Sequence, residues 1–205
     1  SNGSAVVQGD YGQANENWKG LPLVEGTYTG TMEVDFRESS DAIDPITASG
    51  RDFTVFLDED GAVWAWGHNT AGILGQGHTG GMLTDSDGTT GTPDMATANP
   101  QRVKAQMEDG SIVDLGGAET GKIHMIAVGD QHVAALTQEG RVYTWGVNNA
   151  LQLGYAGGNS SYAKVVTVKE NDKDVKFVSV AAGINHTLAL TETREVWGWG
   201  SDQYG

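Results

Sequence analysis

Three stretches of this chain superimpose without a gap: "SGRDFTVFLDEDGAVWAWGHN", "VGDQHVAALTQEGRVYTWGVN" and "AGINHTLALTETREVWGWGSD". Counted from Gly50, Gly129 and Gly183, a leucine falls seven residues on (Leu57, Leu136, Leu190). A valine falls thirteen on (Val63, Val142, Val196), and a Trp-Gly pair at sixteen and seventeen (Trp66-Gly67, Trp145-Gly146, Trp199-Gly200). Each stretch reads as a β-hairpin. An apolar strand such as "HTLALT" runs into a turn that holds Asp60-Gly61 or Glu139-Gly140, and an alternating strand such as "RVYTWG" returns; the third turn departs, with Thr193-Arg194. A repeated unit of this size cannot bury its apolar surface alone and must stack on its neighbours.

Further strand-like runs, "KIHMIAVG" and "DVKFVSVAAG", precede the second and third hairpins, which gives about four strands per unit, the content of a propeller blade. The 30 glycines, and apolar runs rich in Val, Thr, Trp and Tyr, fit many short strands joined by tight turns. The expected fold class is therefore all-β: a partial β-propeller of about three four-stranded blades with both termini falling within blades. Residues 1–42 form an N-terminal segment with outer blade strands, and 43–205 carry the three repeats, with hairpins near 50–67, 129–146 and 183–200.

The pattern resembles the regulator of chromosome condensation repeat family, whose unit runs approximately A-x-G-x-x-H-x-x-A-L, D-G-x-V-x-x-W-G-x-N and then G-Q-L-G. "AVGDQHVAALTQEGRVYTWGVNNALQLG" and "AAGINHTLALTETREVWGWGSDQYG" carry nearly every position, while the first unit has Phe53 in place of the histidine. The resemblance covers about residues 43–205 and implies a propeller whose familiar members close with seven blades. It implies a structural role for His132 and His186, which would hydrogen-bond backbone to tie adjacent blades. The repeat tryptophans Trp66, Trp145 and Trp199 are expected in the core, on the inward side of their strands.

With 12 Lys and Arg against 27 Asp and Glu, a formal charge of −15 repels a phosphate backbone, so nucleic acid is not an expected partner. No apolar run is long enough to span a bilayer, and membrane insertion is not expected. The absence of cysteine excludes disulfides and thiolate metal sites and suits a prokaryotic extracellular or cell-surface protein. The resemblance brings in a chromatin-bound exchange factor for a small GTPase and secreted bacterial relatives, one of which inhibits an enzyme by covering its active site. The acidity of this chain fits the second kind better than a guanine-nucleotide exchange factor.

The first two Trp-Gly pairs lie 79 residues apart and the next two 54, so 25 residues are inserted in the first unit. The long inserted loop, 77–100, is the candidate binding region, since insertions in repeat folds collect on one face. Within it Thr84, Asp85, Asp87, Thr89 and Asp94 present oxygen atoms, and Asp85 and Asp87 around Gly88 are the one weak indication of calcium; a plain solvated insertion explains the same residues. Asp58, Glu59 and Asp60 belong to a hairpin turn, and His68 and His78, ten residues apart, fix no metal geometry. No phosphate-binding loop, nucleophile elbow or acid–base constellation appears, so no catalytic residue is named, no cofactor is expected and the chain reads as non-enzymatic.

Two functional readings follow. The first is a module that binds a protein or other macromolecule through its loops. The second is a subunit that completes a broken blade with strands of its own copies, by dimer closure or head to tail, through the region "GTYTGTMEVDF".

Overall fold

The computed structural model describes residues 5–6, 31–32, 43–79 and 96–203, in two units, Ser1–Asp41 and Ala42–Gly205. In the first unit β1 (Ala5–Val6) pairs antiparallel with β2 (Thr31–Met32), and the rest of the strand-like run expected there lies outside the described residues.

The second unit is a row of blades. Blade 1 is a four-stranded antiparallel sheet in the order β3 (Ile46–Ser49), β4 (Phe53–Leu57), β5 (Val63–His68), β6 (Ala96–Arg102). A short hairpin, β7 (Lys104–Gln106) and β8 (Ile112–Asp114), follows and touches the next blade through Ala105 and Ala163. Blade 2 comprises β9 (Ile123–Val128), β10 (His132–Thr137), β11 (Val142–Gly146) and β12 (Ser160–Val166), again in chain order. An exposed hairpin, β13 (Lys169–Glu170) and β14 (Lys173–Asp174), turns through Asn171 and Asp172, both at positive φ, the geometry of a two-residue hairpin loop. Among the described residues blade 3 has three strands, β15 (Phe177–Ala182), β16 (His186–Thr191) and β17 (Val196–Gly200). The partial propeller expected from the repeats is thus the fold.

Alternation along the middle blade builds the core. All six residues of β10 are buried because sheets lie on both sides. Val133, Ala135, Tyr143 and Trp145 point to blade 1 and join a cluster with Val55, Leu57 and Val63. Their strand neighbours Ala134, Leu136 and Val142 point the other way and pack with Phe177, Val180 and Ala189 of blade 3. A one-residue slip in register would exchange the two sets, so the repeat register read from the sequence is also the packing register.

The hairpin turns show what the third unit gave up. Gly61 and Gly140 stand at φ 84° and 82°, and Arg194 occupies the same position of the third hairpin at φ 68°. A side chain there costs about 1 kcal/mol relative to glycine. Arg194→Gly is expected to stabilise the chain by about 1 kcal/mol and to raise the melting temperature by about 2–4 °C. A thermal melt that shows no rise would mean that contacts of the arginine offset the backbone strain.

Candidate functional site

Function in such a scaffold rests on two things, the seams that hold the blades and the loops that leave them. The seams begin at the opening glycines. A Cβ on Gly50, Gly129 or Gly183 would overlap the ring three residues later, Phe53, His132 or His186, so the glycine exists to let that ring lie flat over the backbone. One backbone bond then recurs at each seam: Ile123 N–H donates to the Gly61 carbonyl (3.2 Å) and Phe177 N–H to the Gly140 carbonyl (3.0 Å).

Beyond this the two seams differ. Between blades 1 and 2, Arg51 pairs with Asp130 in a bidentate contact through one edge of its guanidinium (Nε 3.1 Å, Nη2 2.7 Å), and the Trp145 indole N–H donates to the Ile73 carbonyl at 2.7 Å. Phe53 and Val133 are buried in the same apolar cluster. Between blades 2 and 3 the corresponding residues are His132 and Thr187, with Nε2 and Oγ1 2.9 Å apart, and the Thr187 hydroxyl donates on to the Gln152 carbonyl at 2.8 Å. The imidazole meets a threonine hydroxyl of the next blade and through it the Gln152 carbonyl, and it also interacts with the backbone of His186. Thr187 also takes the carbonyl that matches Ile73, and the Trp199 indole N–H is left buried without a partner.

The tryptophans are likewise unequal. Trp145 and Trp199 face the preceding blade and Trp66 lies on the corresponding side of β5, but only Trp145 is fully buried, while Trp66 and Trp199 are half-buried. Among the described residues no blade precedes Trp66 and no further strand lies beside β17, which carries Trp199; its ring meets Phe177 edge-on at 6.2 Å. Gly67, Gly146 and Gly200 close the second strand of each hairpin at φ 110°, 102° and 111°. His186 has the repeat position of His132 but is exposed.

The inserted loop leaves blade 1 between β5 and β6. Its stem is closed by the pairs Gly67↔Thr97 and His68↔Ala96. Gly77 N–H donates to the Ser161 carbonyl of blade 2 at 2.8 Å, and the buried Asn69 donates Nδ2 to the His78 carbonyl (3.1 Å) while its Oδ1 accepts from Leu74 N–H (3.1 Å). Asn148 repeats this clamp in blade 2, accepting from Leu153 N–H at 2.9 Å and donating to the carbonyls of Tyr155 and Gly157, each at 3.0 Å. These two asparagines lie nineteen residues after the opening glycine, a coincidence of position that marks them in the sequence; the third unit has Asp202 there. Thr84, Asp85, Asp87, Thr89 and Asp94 lie outside the described residues.

The remaining polar candidates have local partners. Asp58 accepts from the backbone N–H of Asp60 (3.1 Å) and Ala62 (2.8 Å) and from the Trp64 indole (2.8 Å), which locks the first hairpin turn. His78 Nδ1 lies 3.2 Å from Asn69 Nδ2, and His68 is exposed at the end of β5. Among the described residues no group of three or more His, Asp or Glu is placed to hold a metal ion.

Burial, reinforced by the nearby His186 imidazole, pulls the pKa of His132 down to about 4. The folded chain therefore binds fewer protons than the unfolded one between pH 6.5 and 4. The seam's contribution is complete above pH 6.5 and falls as pH drops towards 4, by about 3 kcal/mol for this group. The double variant His132→Phe/Thr187→Val installs the first seam's apolar pair in the second and removes the titrating imidazole. Denaturant unfolding at pH 7 and pH 4 should show a loss on acidification about 3 kcal/mol smaller in the double variant than in the parent. Equal losses would show that His132 does not couple this seam to pH.

Comparison with known proteins accords with this geometry. The Regulator of chromosome condensation (RCC1) repeat model matches residues 47–73, 123–152 and 177–205, and a second model of the same repeat matches 139–190. The human E3 ubiquitin-protein ligase HERC2 is 31% identical over 160 residues, 78% of this chain and 3% of that protein. The Arabidopsis thaliana ultraviolet-B receptor UVR8 is 32% identical over 157 residues, 76% of this chain and 29% of its own. The chain thus spans less than a third of either relative. Among solved structures, human WBSCR16 superimposes with a TM-score of 0.53 at 19% identity, covering 89% of this chain and 38% of that one. Yeast RCC1 (Prp20), in its complex with Kap60, gives 0.52 at 24%, covering 97% and 38%; both share the fold. With its glycine-opened hairpins, stacked blades and matched repeats, the chain belongs to the RCC1 repeat family.

Proposed function

We propose that this chain is a non-catalytic propeller module of a secreted or cell-surface protein, and that it presents the loop inserted in blade 1 to a protein partner. The observation that carries this reading is the stem of that loop. It is held by the β5–β6 pairs, by Asn69 and by a bond to blade 2, so a long polar insertion stands on a fixed base. His132, Asp58 and Asp130 are engaged in the seams and turns. The yeast relative of the same fold is a complex with the protein Kap60. A photoreactive residue at exposed Thr79, with exposed Thr47 as control, should cross-link one partner from Thr79 only. Replacing residues 80–95 by a Gly-Ser tether should abolish that product. An equal yield from the tethered chain would sink the reading.

A second reading is that a neighbouring copy of the chain completes blade 3 through strand addition. It is favoured by β17, which among the described residues is an edge strand where blades 1 and 2 continue to a fourth strand. Light scattering across a concentration series is expected to show a mass that rises to a dimer or beyond, and deletion of residues 1–42 should return it to one chain. A monomer at every concentration rules this reading out.

A further inference from the structure

We propose that Met125 is an oxidation site at the join of blades 2 and 3, and that a peroxide which converts its thioether to the sulfoxide loosens the first strand of blade 3 from blade 2. The inference concerns neither the inserted loop nor the edge of β17.

The residue stands out against its own repeat position. Four residues before the three opening glycines lie Ile46, Met125 and Ser179. In blade 1 that place is filled by a branched hydrocarbon, packed against the first apolar cluster. In blade 2 it holds a thioether, whose side chain packs against the cluster that contains Phe177, Val180 and Ala189 of blade 3. Packing alone does not call for sulfur, since isoleucine serves one blade earlier. What sulfur adds is an acceptor. The Val180 backbone N–H donates to Met125 Sδ at 3.5 Å, and the Ser179 hydroxyl donates to the same atom from 3.8 Å. A buried amide of β15 therefore reaches across the seam to β9 and finds a weak acceptor there. Met125 itself is half-buried, so a small hydroperoxide has access to the sulfur.

Sulfur carries two lone pairs, and one of them receives the Val180 N–H. The other attacks an oxygen of the hydroperoxide: the S–O bond forms as the O–O bond breaks, the sulfur is oxidised by two electrons, and with hydrogen peroxide the displaced hydroxide takes up the remaining proton and leaves as water. The product is a different neighbour. Its sulfur is electron-poor and no longer accepts from Val180, and its oxygen is a strong acceptor set against an apolar cluster. Turning that oxygen towards Val180 does not repair the bond, because the 3.5 Å that suits sulfur leaves no room for an oxygen bonded to it unless the strands part. Either way the contact between β9 and β15 weakens, and a thiol-dependent sulfoxide reductase restores it by returning the thioether.

The test treats the folded 205-residue chain with hydrogen peroxide at neutral pH, beside Met125→Leu, a nearly volume-conserving change. Peptide mass spectrometry reports oxygen on each methionine, NMR hydrogen exchange reports the Val180 amide, and a thermal melt reports the fold. Oxidation of Met125 is expected to speed exchange at Val180 about tenfold or more and to lower the melting temperature by about 4 °C. A methionine sulfoxide reductase with a thiol should reverse both changes. Met125→Leu, which keeps the other four of the five methionines, should show neither change on treatment. A Met125 that stays reduced while the half-buried Met107 is oxidised overturns the site. A fully oxidised Met125 with Val180 exchange and melting unmoved, or an equal fall in Met125→Leu, overturns the loosening of the seam.

Discussion

A blade of this kind has two apolar faces, and neither can be left in water without a cost that rivals the stability of the whole domain. Everything else in the described structure answers to that constraint. The middle blade satisfies it completely, with every residue of β10 buried. The glycine that opens each hairpin exists so that an aromatic or imidazole ring can lie over the backbone and the next sheet can come close. Stability is thus a property of seams rather than of blades, and each seam is a choice made once and repeated with variation.

The variation is chemically coherent. Where the first seam uses Phe53, an ion pair between Arg51 and Asp130 and an indole bond to the Ile73 carbonyl, the second uses an imidazole, a hydroxyl and the matching loop carbonyl of Gln152. The partners change together. A threonine at the position of Val133 would have no imidazole to meet, and in the second seam the Gln152 carbonyl accepts from Thr187 while the Trp199 indole N–H has no partner. The second seam therefore gains a buried hydrogen-bonded chain and gives up one indole bond, so the two solutions are not interchangeable one residue at a time.

Much of this was legible in the residues. The hairpins, their register and the glycine positions follow from spacing alone, because a period-two strand with a fixed turn admits a single pairing. Trp145 lies in the core as its spacing suggests, whereas Trp66 and Trp199 do not reach full burial, since burial depends on what stands beside a strand and spacing does not record that. The partner of His132 lies 55 residues away in sequence, and only the stacking of blades reveals that Thr187 faces it. Asn69 and Asn148 were within reach of the sequence, sharing one repeat position, but an asparagine after Trp-Gly reads as turn chemistry until its three hydrogen bonds are seen.

The closed stem of the inserted loop separates two kinds of evolutionary freedom. Because β5 and β6 are zipped up to the pair His68↔Ala96, the ends of the insertion are fixed whatever lies between them. Doubling the length of such a loop adds only about 0.6 kcal/mol of closure entropy. Changes of length or sequence between those ends are thereby uncoupled from the seams, where His132 and Thr187 can change only together without leaving a buried polar group unpaired.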